Sequence, residues 1–305
     1  MDIAAVLAAA VQSKASDVHL QEGRLPLLRL GAELFPWGNH RVGGEDISAW
    51  LQALGQPFDG RPYVSTAFSW DGRVRCRLHA SREQAGVHVV VRMLYPLDTL
   101  PPDGDETLLR QLSGLDDGLV LVCGPTGSGK TTALWRILRW ANANRRCHII
   151  SLEDPIEYVV PGELALISQR EYGIHFQSFA EGVREALRQD PDILLVGEMR
   201  DRETMDAALT AAQAVSRMAG AYAGAEQEEM RCRLAMVLQG ILAQRRGDGA
   251  GGAYIAREIL LHTPAVAQLI RSGREHQLTT VMQTGAALGM RTMEQALQRH
   301  RRNLI

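Results

Sequence analysis

The chain has 305 residues, 46% of them hydrophobic and 22% charged, with a net charge of -2. This is a globular composition of about two domains' length, and it excludes a disordered or fibrous chain. The near-zero charge offers no general attraction to nucleic acid or to an anionic membrane surface.

Along the chain, Ile3, Val6, Leu7, Ala10 and Val11 recur at helical spacing. They predict an amphipathic helix of the fold rather than a signal peptide. No stretch approaches the roughly 20 apolar residues that a membrane helix needs, so no direct membrane insertion is expected. Residues 26–30, 73–78 and 88–94 read as short strands. Residues 95–105 hold three prolines, a glycine and three aspartates, which is linker chemistry. From residue 107 the pattern changes to strand, glycine loop, helix, strand, an α/β reading with a parallel sheet. Four scattered cysteines without a CxxC pair fit a reducing cytoplasm and speak against structural zinc.

Residues 118–123 read as a buried strand and residues 132–143 as a helix. Between them stand Gly124, Pro125, Thr126, Gly127, Ser128, Gly129, Lys130, Thr131 and Thr132. This is the GxxxxGK[ST] phosphate loop in its strand–loop–helix setting. The glycines let backbone N–H groups turn inward around an anion, and the helix N-terminus adds partial positive charge. Lys130 is expected on the β- and γ-phosphates of ATP, and the Thr131 hydroxyl on Mg²⁺. Lys130 and Lys14 are the only lysines in the chain, which makes an accidental match rarer.

Two further apolar strands, residues 149–152 and 193–196, end in acids. Glu153 is expected to act as the general base and Glu198 as the Walker B acid that holds Mg²⁺. Glu157, Asp192 and Asp201 read as helix caps or arginine partners. Ser178 and Glu181 form a capping box that opens a helix. On that helix Arg184 and Arg188 either line an interface or solvate a surface.

Taken in order, these motifs resemble the type II/IV secretion ATPase superfamily, in particular the type IV pilus retraction (twitching motility) ATPases. The resemblance rests on GPTGSGKTT, SLEDPIEYV, the run from QREYGIHFQ to MDAALTAA, TPAVAQLIRSGREHQL and the N-terminal ASDVHL. It implies a smaller PAS-like α+β domain over residues 1–97, a linker over 98–106 and a RecA-like ATPase domain over 107–305. It further implies a homohexamer with ATP bound between the two domains, and an inner-membrane pilus or secretion platform as partner. Glu153 falls in the family's Asp box and Glu198 in its Walker B motif. Arg77 and Arg92 match the family's nucleotide-contacting arginines. The protein would be cytoplasmic, bind no nucleic acid, and reach the inner membrane only through a partner. The absence of a long N-terminal extension and of a four-cysteine insert tilts the expectation toward retraction.

The chain departs from that family at one place. A "His box", roughly TGHLV…TLHT, would follow Ala212-Gln213, but Ala214 to Met218 come next. Residues 203–246 are mainly helix formers, and no β-rich run stands out among them. About one strand and its loop are therefore expected to be missing between the Walker A and Walker B strands. The sheet must then close over the gap, or two strands lose ladder partners.

Overall fold

The computed structural model describes residues 1–72, 74–100, 102–216, 226–249 and 252–302. The chain forms two compact units. One comprises residues 1–101 with 155–160, the other 102–154 with 161–305.

The first unit opens with α1 (Ile3–Gln12). Asp2 caps it, its carboxylate accepting from the Ala4 amide at 2.9 Å. Ile3, Val6, Leu7 and Ala10 are buried, as the helical spacing requires. Then follow β1 (Asp17–Gln21), β2 (Leu27–Leu30), β3 (Glu33–Pro36), α2 (Gly44–Ala53), β4 (Tyr63–Trp70), β5 (Val74–Glu83) and β6 (Gly86–Leu94). The six strands make one sheet in the order β3-β2-β1-β6-β5-β4, and every neighbour pair is antiparallel. Along β5, Val74, Cys76, Leu78 and Ala80 are buried, while Arg77 and His79 are exposed. That is the period-2 pattern of a sheet with one covered face. Burial of Cys76 pushes its thiol pKa up to about 12, so it acts as a small apolar core residue.

The second unit contains α3 (Glu106–Ser113), β7 (Leu119–Cys123), α4 (Lys130–Asn144), β8 (His148–Glu153), β9 (Leu166–Glu171), α5 (Phe179–Ala186), β10 (Ile193–Val196) and α6 (Arg202–Ser216). After these come α7 (Glu226–Val237), β11 (Leu238–Gly249), β12 (Gly252–Leu261), α8 (Pro264–Arg271), α9 (Leu278–Thr284) and α10 (Met293–Arg302). The strands form two three-stranded sheets, ordered β10-β8-β9 and β12-β11-β7. In the first sheet all pairings are parallel. In the second, β7 runs parallel to β11, and β11 antiparallel to β12.

Here the structure corrects one expectation. Residues 238–246, read as helix formers, belong to β11. Leu238, Gly240, Leu242 and Gln244 are buried at alternate positions, a period-2 signal that short apolar residues concealed. Pairing with β7 on one side and β12 on the other outweighs the local helix propensity of Leu, Gln and Ala. The expected effect of the missing His-box strand takes its second form. Among the described residues no strand joins β7 to β10, and each is the last strand of its sheet. Both border one cleft of about 200 Å³, whose walls include Gly118, Val120, Leu138, Leu194 and Ala211. Residues 217 and 218 lie outside the described part of the chain.

A buried ion cluster ties the entry of this unit to its sheet. On β12, Arg257 has a side chain only 2% exposed. Its Nη1 donates to Asp103 and to Asp105, both at 2.8 Å, and its Nη2 donates to Asp103 at 3.0 Å. Arg291 pairs with Asp105 and donates its Nε to the Arg257 carbonyl at 2.8 Å. Burial disfavours a charged Asp103, but its hydrogen bonds and attraction to Arg257 outweigh burial and hold its carboxyl below the ordinary range. A carboxyl with a depressed folded pKa stabilises above its unfolded value near 3.9, and that stability is lost as pH falls through the folded value. Arg257→Met leaves the half-buried Asp103 without its guanidinium and Asp105 with Arg291 alone. It should destabilise this unit by about 2–3 kcal/mol at pH 7, less than for a fully buried pair. The deficit should shrink at pH 4, where the orphaned acids take up protons. Denaturant titrations at the two pH values test this, and equal midpoints for both proteins at pH 7 would rule out a structural role.

Candidate functional site

The phosphate loop follows directly from β7. Gly124, Gly127 and Gly129 adopt φ values of 149°, 77° and 82°, the half of the map that side-chain-bearing residues avoid. Gly124 also has no room for a side chain. A Cβ there would stand 2.4 Å from the Gln244 carbonyl oxygen on β11 and 2.7 Å from Ser128 Oγ. Gly129 serves as N-cap of α4 without a side-chain cap, so the first amides of that helix are left to an external acceptor.

Lys130 starts α4 and folds back over the loop. Its Nζ donates to the carbonyls of Gly124 and Pro125, each at 3.0 Å. The ammonium group is thus held at the loop's mouth. Ser128 is 2% exposed, and its Oγ has no hydrogen-bond partner. An orphaned buried hydroxyl, a glycine cradle and an uncapped helix start together suit an oxyanion of the phosphate class. Thr131 follows Lys130 in the first turn of the same helix, where its hydroxyl can reach a cation beside that anion.

Glu153 ends β8 and is 3% exposed. Its Oε1 accepts from Ser151 Oγ at 2.6 Å and from Gln169 Nε2 at 3.1 Å, and its Oε2 accepts from the Trp135 indole at 3.2 Å. Strand alternation puts Ser151 on the same face as Glu153. Gln169 comes from the adjacent β9, and Trp135 from α4. The acid is therefore tied to the helix that begins at the phosphate loop. Sequence reasoning singled out Glu153 but missed these donors. Only the serine two residues earlier on the strand was a legible signal.

Glu198 stands two residues beyond β10, about a quarter exposed, and pairs with Arg200 at 3.0 Å. The two acid-bearing strand ends lie together because Gly197 donates its amide to the Leu152 carbonyl at 2.8 Å. A Cβ at Gly197 would meet that carbonyl oxygen at 2.9 Å, so glycine is needed for the approach.

Other acids and arginines have structural work. Asp201 accepts from the Thr204 amide and hydroxyl, both at 2.8 Å, and the amide bond chiefly lowers its pKa. Asp192 accepts from the His148 amide at 2.8 Å. Arg184 on α5 pairs with Glu203, whereas Arg188, expected on the same helix, lies in the 3-10 turn that follows it and pairs with Glu185; both ion pairs are exposed. Arg77 and Arg92 are cross-strand partners on the exposed face of the first unit's sheet. Arg92 donates its Nε to Asp17 at 3.0 Å. Among the described residues no group of three or more His, Cys, Asp and Glu side chains forms a metal cluster, and no helix is long and apolar enough to cross a membrane.

Comparison with known proteins agrees with this geometry. Residues 72–218 match the family described as "Type II/IV secretion system protein". The type IV pilus retraction ATPase PilT of Pseudomonas aeruginosa is 34% identical over an alignment covering 98% of this chain and 93% of that protein. That alignment spans 321 positions. Since 98% of 305 residues is about 299, about 22 positions have no residue in this chain. The Escherichia coli K12 protein YggR is 40% identical, over 73% of this chain and 74% of its own length. The crystal structure of the pilus retraction motor PilT with bound ADP superposes with a TM-score of 0.80 at 30% identity, covering 99% of this chain and 94% of that one. With its N-terminal domain and RecA-like ATPase domain, the chain belongs to the type II/IV secretion ATPase family, the ATPase motors of pilus retraction and protein secretion.

Proposed function

We propose that this chain is the subunit of a homohexameric ring that binds Mg-ATP at residues 124–132 and uses its hydrolysis to drive pilus retraction or a related secretion step. The glycine cradle with Lys130 at its mouth carries the reading. Its backbone excludes side chains where an anion would sit, and its one ammonium group lies within reach of a polyphosphate. Mg²⁺, held by Thr131 and Glu198, would neutralise charge on the β- and γ-phosphate oxygens. In this reading Glu198, now paired with Arg200, would be one holder of the metal, and Glu153 would orient and deprotonate the attacking water. Arg77 and Arg92 keep their assignment to the nucleotide on the strength of the resemblance alone. By the same resemblance the ring would work on the cytoplasmic side, against a platform protein of the inner membrane.

A second reading follows from the split sheet. A subunit that binds nucleotide and turns it over little would serve assembly or regulation. Steady-state ATP turnover decides between the two. Under the motor reading Lys130→Ala and Glu198→Ala each lower turnover by roughly 100-fold, with the fold retained. Equal rates in all three proteins would leave only the binding subunit.

The cage around Glu153 gives a separate test. Trp135→Phe keeps the ring in the core but deletes the indole N–H, a charge-assisted bond worth about 1.5–3 kcal/mol. Turnover should fall about tenfold while KM for ATP stays within about twofold, because the bond acts on Glu153 and not on the phosphate loop. An unchanged kcat would detach the Glu153 cage from the chemistry.

A further inference from the structure

The two half-sheets of the second unit leave one backbone-lined cleft that the ATPase reading does not use. On one side β7 is paired only with β11, and on the other β10 is paired only with β8, among the described residues. The consequence shows in burial. From Ile149 to Glu153, β8, which is flanked on both sides, is buried at every residue. By contrast Leu119, Val120, Leu121 and Val122 on β7, and Ile193, Leu194 and Val196 on β10, are only partly buried. These are apolar runs written for a strand inside a parallel sheet, yet each lacks one neighbour.

We propose that this cleft is an acceptor site for one extended segment of a partner polypeptide, which enters as a strand between β7 and β10. Three features select that occupant. The walls offer rows of peptide N–H and C=O groups, which another strand satisfies and which a helix or a small apolar molecule leaves unmet. β7 has five residues and β10 four, so the inserted segment has about five residues in register. Its side chains meet Leu134 and Leu138 of α4 and Ala208 and Ala211 of α6, so they are apolar, with β-branched residues favoured.

Charge fixes the direction. Asp116 and Asp117 lie just before Gly118 and β7, and Asp192 immediately precedes β10; all three line the cleft, Asp116 pairing loosely with Arg145 at 3.9 Å and Asp192 accepting from the His148 amide. At their covered edges, both β7 and β10 pair in parallel. A segment that also enters in parallel brings its N-terminal end to these three carboxylates. It therefore carries basic residues just before its apolar run.

The test uses the purified 305-residue chain and a fluorescein-labelled peptide, Lys-Lys-Val-Thr-Val-Ile-Val, with anisotropy as readout and no nucleotide present. Saturable binding in the micromolar range is expected. Asp116→Lys combined with Asp117→Lys, an exposed change at the rim, should weaken it at least about tenfold, while a circular dichroism melt confirms the fold. A Lys-Lys-Val-Pro-Val-Pro-Val peptide, whose two prolines remove the donors along one edge and so prevent pairing with both β7 and β10, should not bind. Absence of saturation up to about 1 mM with folded protein overturns the proposal. Equal binding of the proline peptide overturns it too, because adhesion to apolar surface then explains the signal. Concentration-dependent self-association that excludes the peptide would assign the cleft to a second copy and likewise overturn it. ATP turnover plays no part in the readout, so failure here leaves the hydrolytic reading standing.

Discussion

The second unit hinges on a close approach between two stretches of backbone. Where β7 ends, the chain must turn under the Gln244 carbonyl, and no atom beyond hydrogen fits on the Gly124 Cα. That contact requires β11 to lie beside β7, although the two are more than a hundred residues apart in sequence. Once they pair, the loop's amides, the start of α4 and the Lys130 ammonium share one small volume. The phosphate loop is thus a product of the sheet and not of its own nine residues alone.

Much of this was legible beforehand, and the reason is locality. The loop, its strand and its helix are contiguous, so their sequence pattern and their geometry coincide. The same holds for α1, with its capped start and buried Ile3, Val6, Leu7 and Ala10. What stayed hidden depends on distant partners. β11 looks helical until it is seen between β7 and β12. The donors that hold Glu153 come from α4 and β9 as well as from its own strand, and no spacing in the sequence announces them. Asp103 and Asp105 fall in a stretch whose prolines, glycine and aspartates read as linker chemistry, and Arg257 with Arg291 explains why they are half-buried.

The departure from the family pattern has a definite physical form. Without a strand between β7 and β10 among the described residues, the pairing on either side is kept. Each half keeps its own ladder, and each keeps one end of the site: the phosphate loop on the β12-β11-β7 half, the two glutamates on the β10-β8-β9 half. The halves are covered by separate apolar clusters, one around Leu109, Ile137, Leu242 and Ile259, the other around Leu152, Phe179, Val183 and Ala207. A further cluster of Leu209, Ala212 and Val237, with Leu119 packed against it, joins α6 to β7 and keeps the two halves in one unit.

The Arg257 cluster bears on how the chain is made. Asp103 and its guanidinium partner are 154 positions apart. At a ribosomal pace of about 5–20 residues per second, the two carboxylates wait on the order of ten seconds or more for that partner to be translated. During synthesis the stretch that leads into the ATPase domain remains solvated and loose. It locks only after β12 has emerged, so the N-terminal sheet can complete its own folding before its successor is fastened.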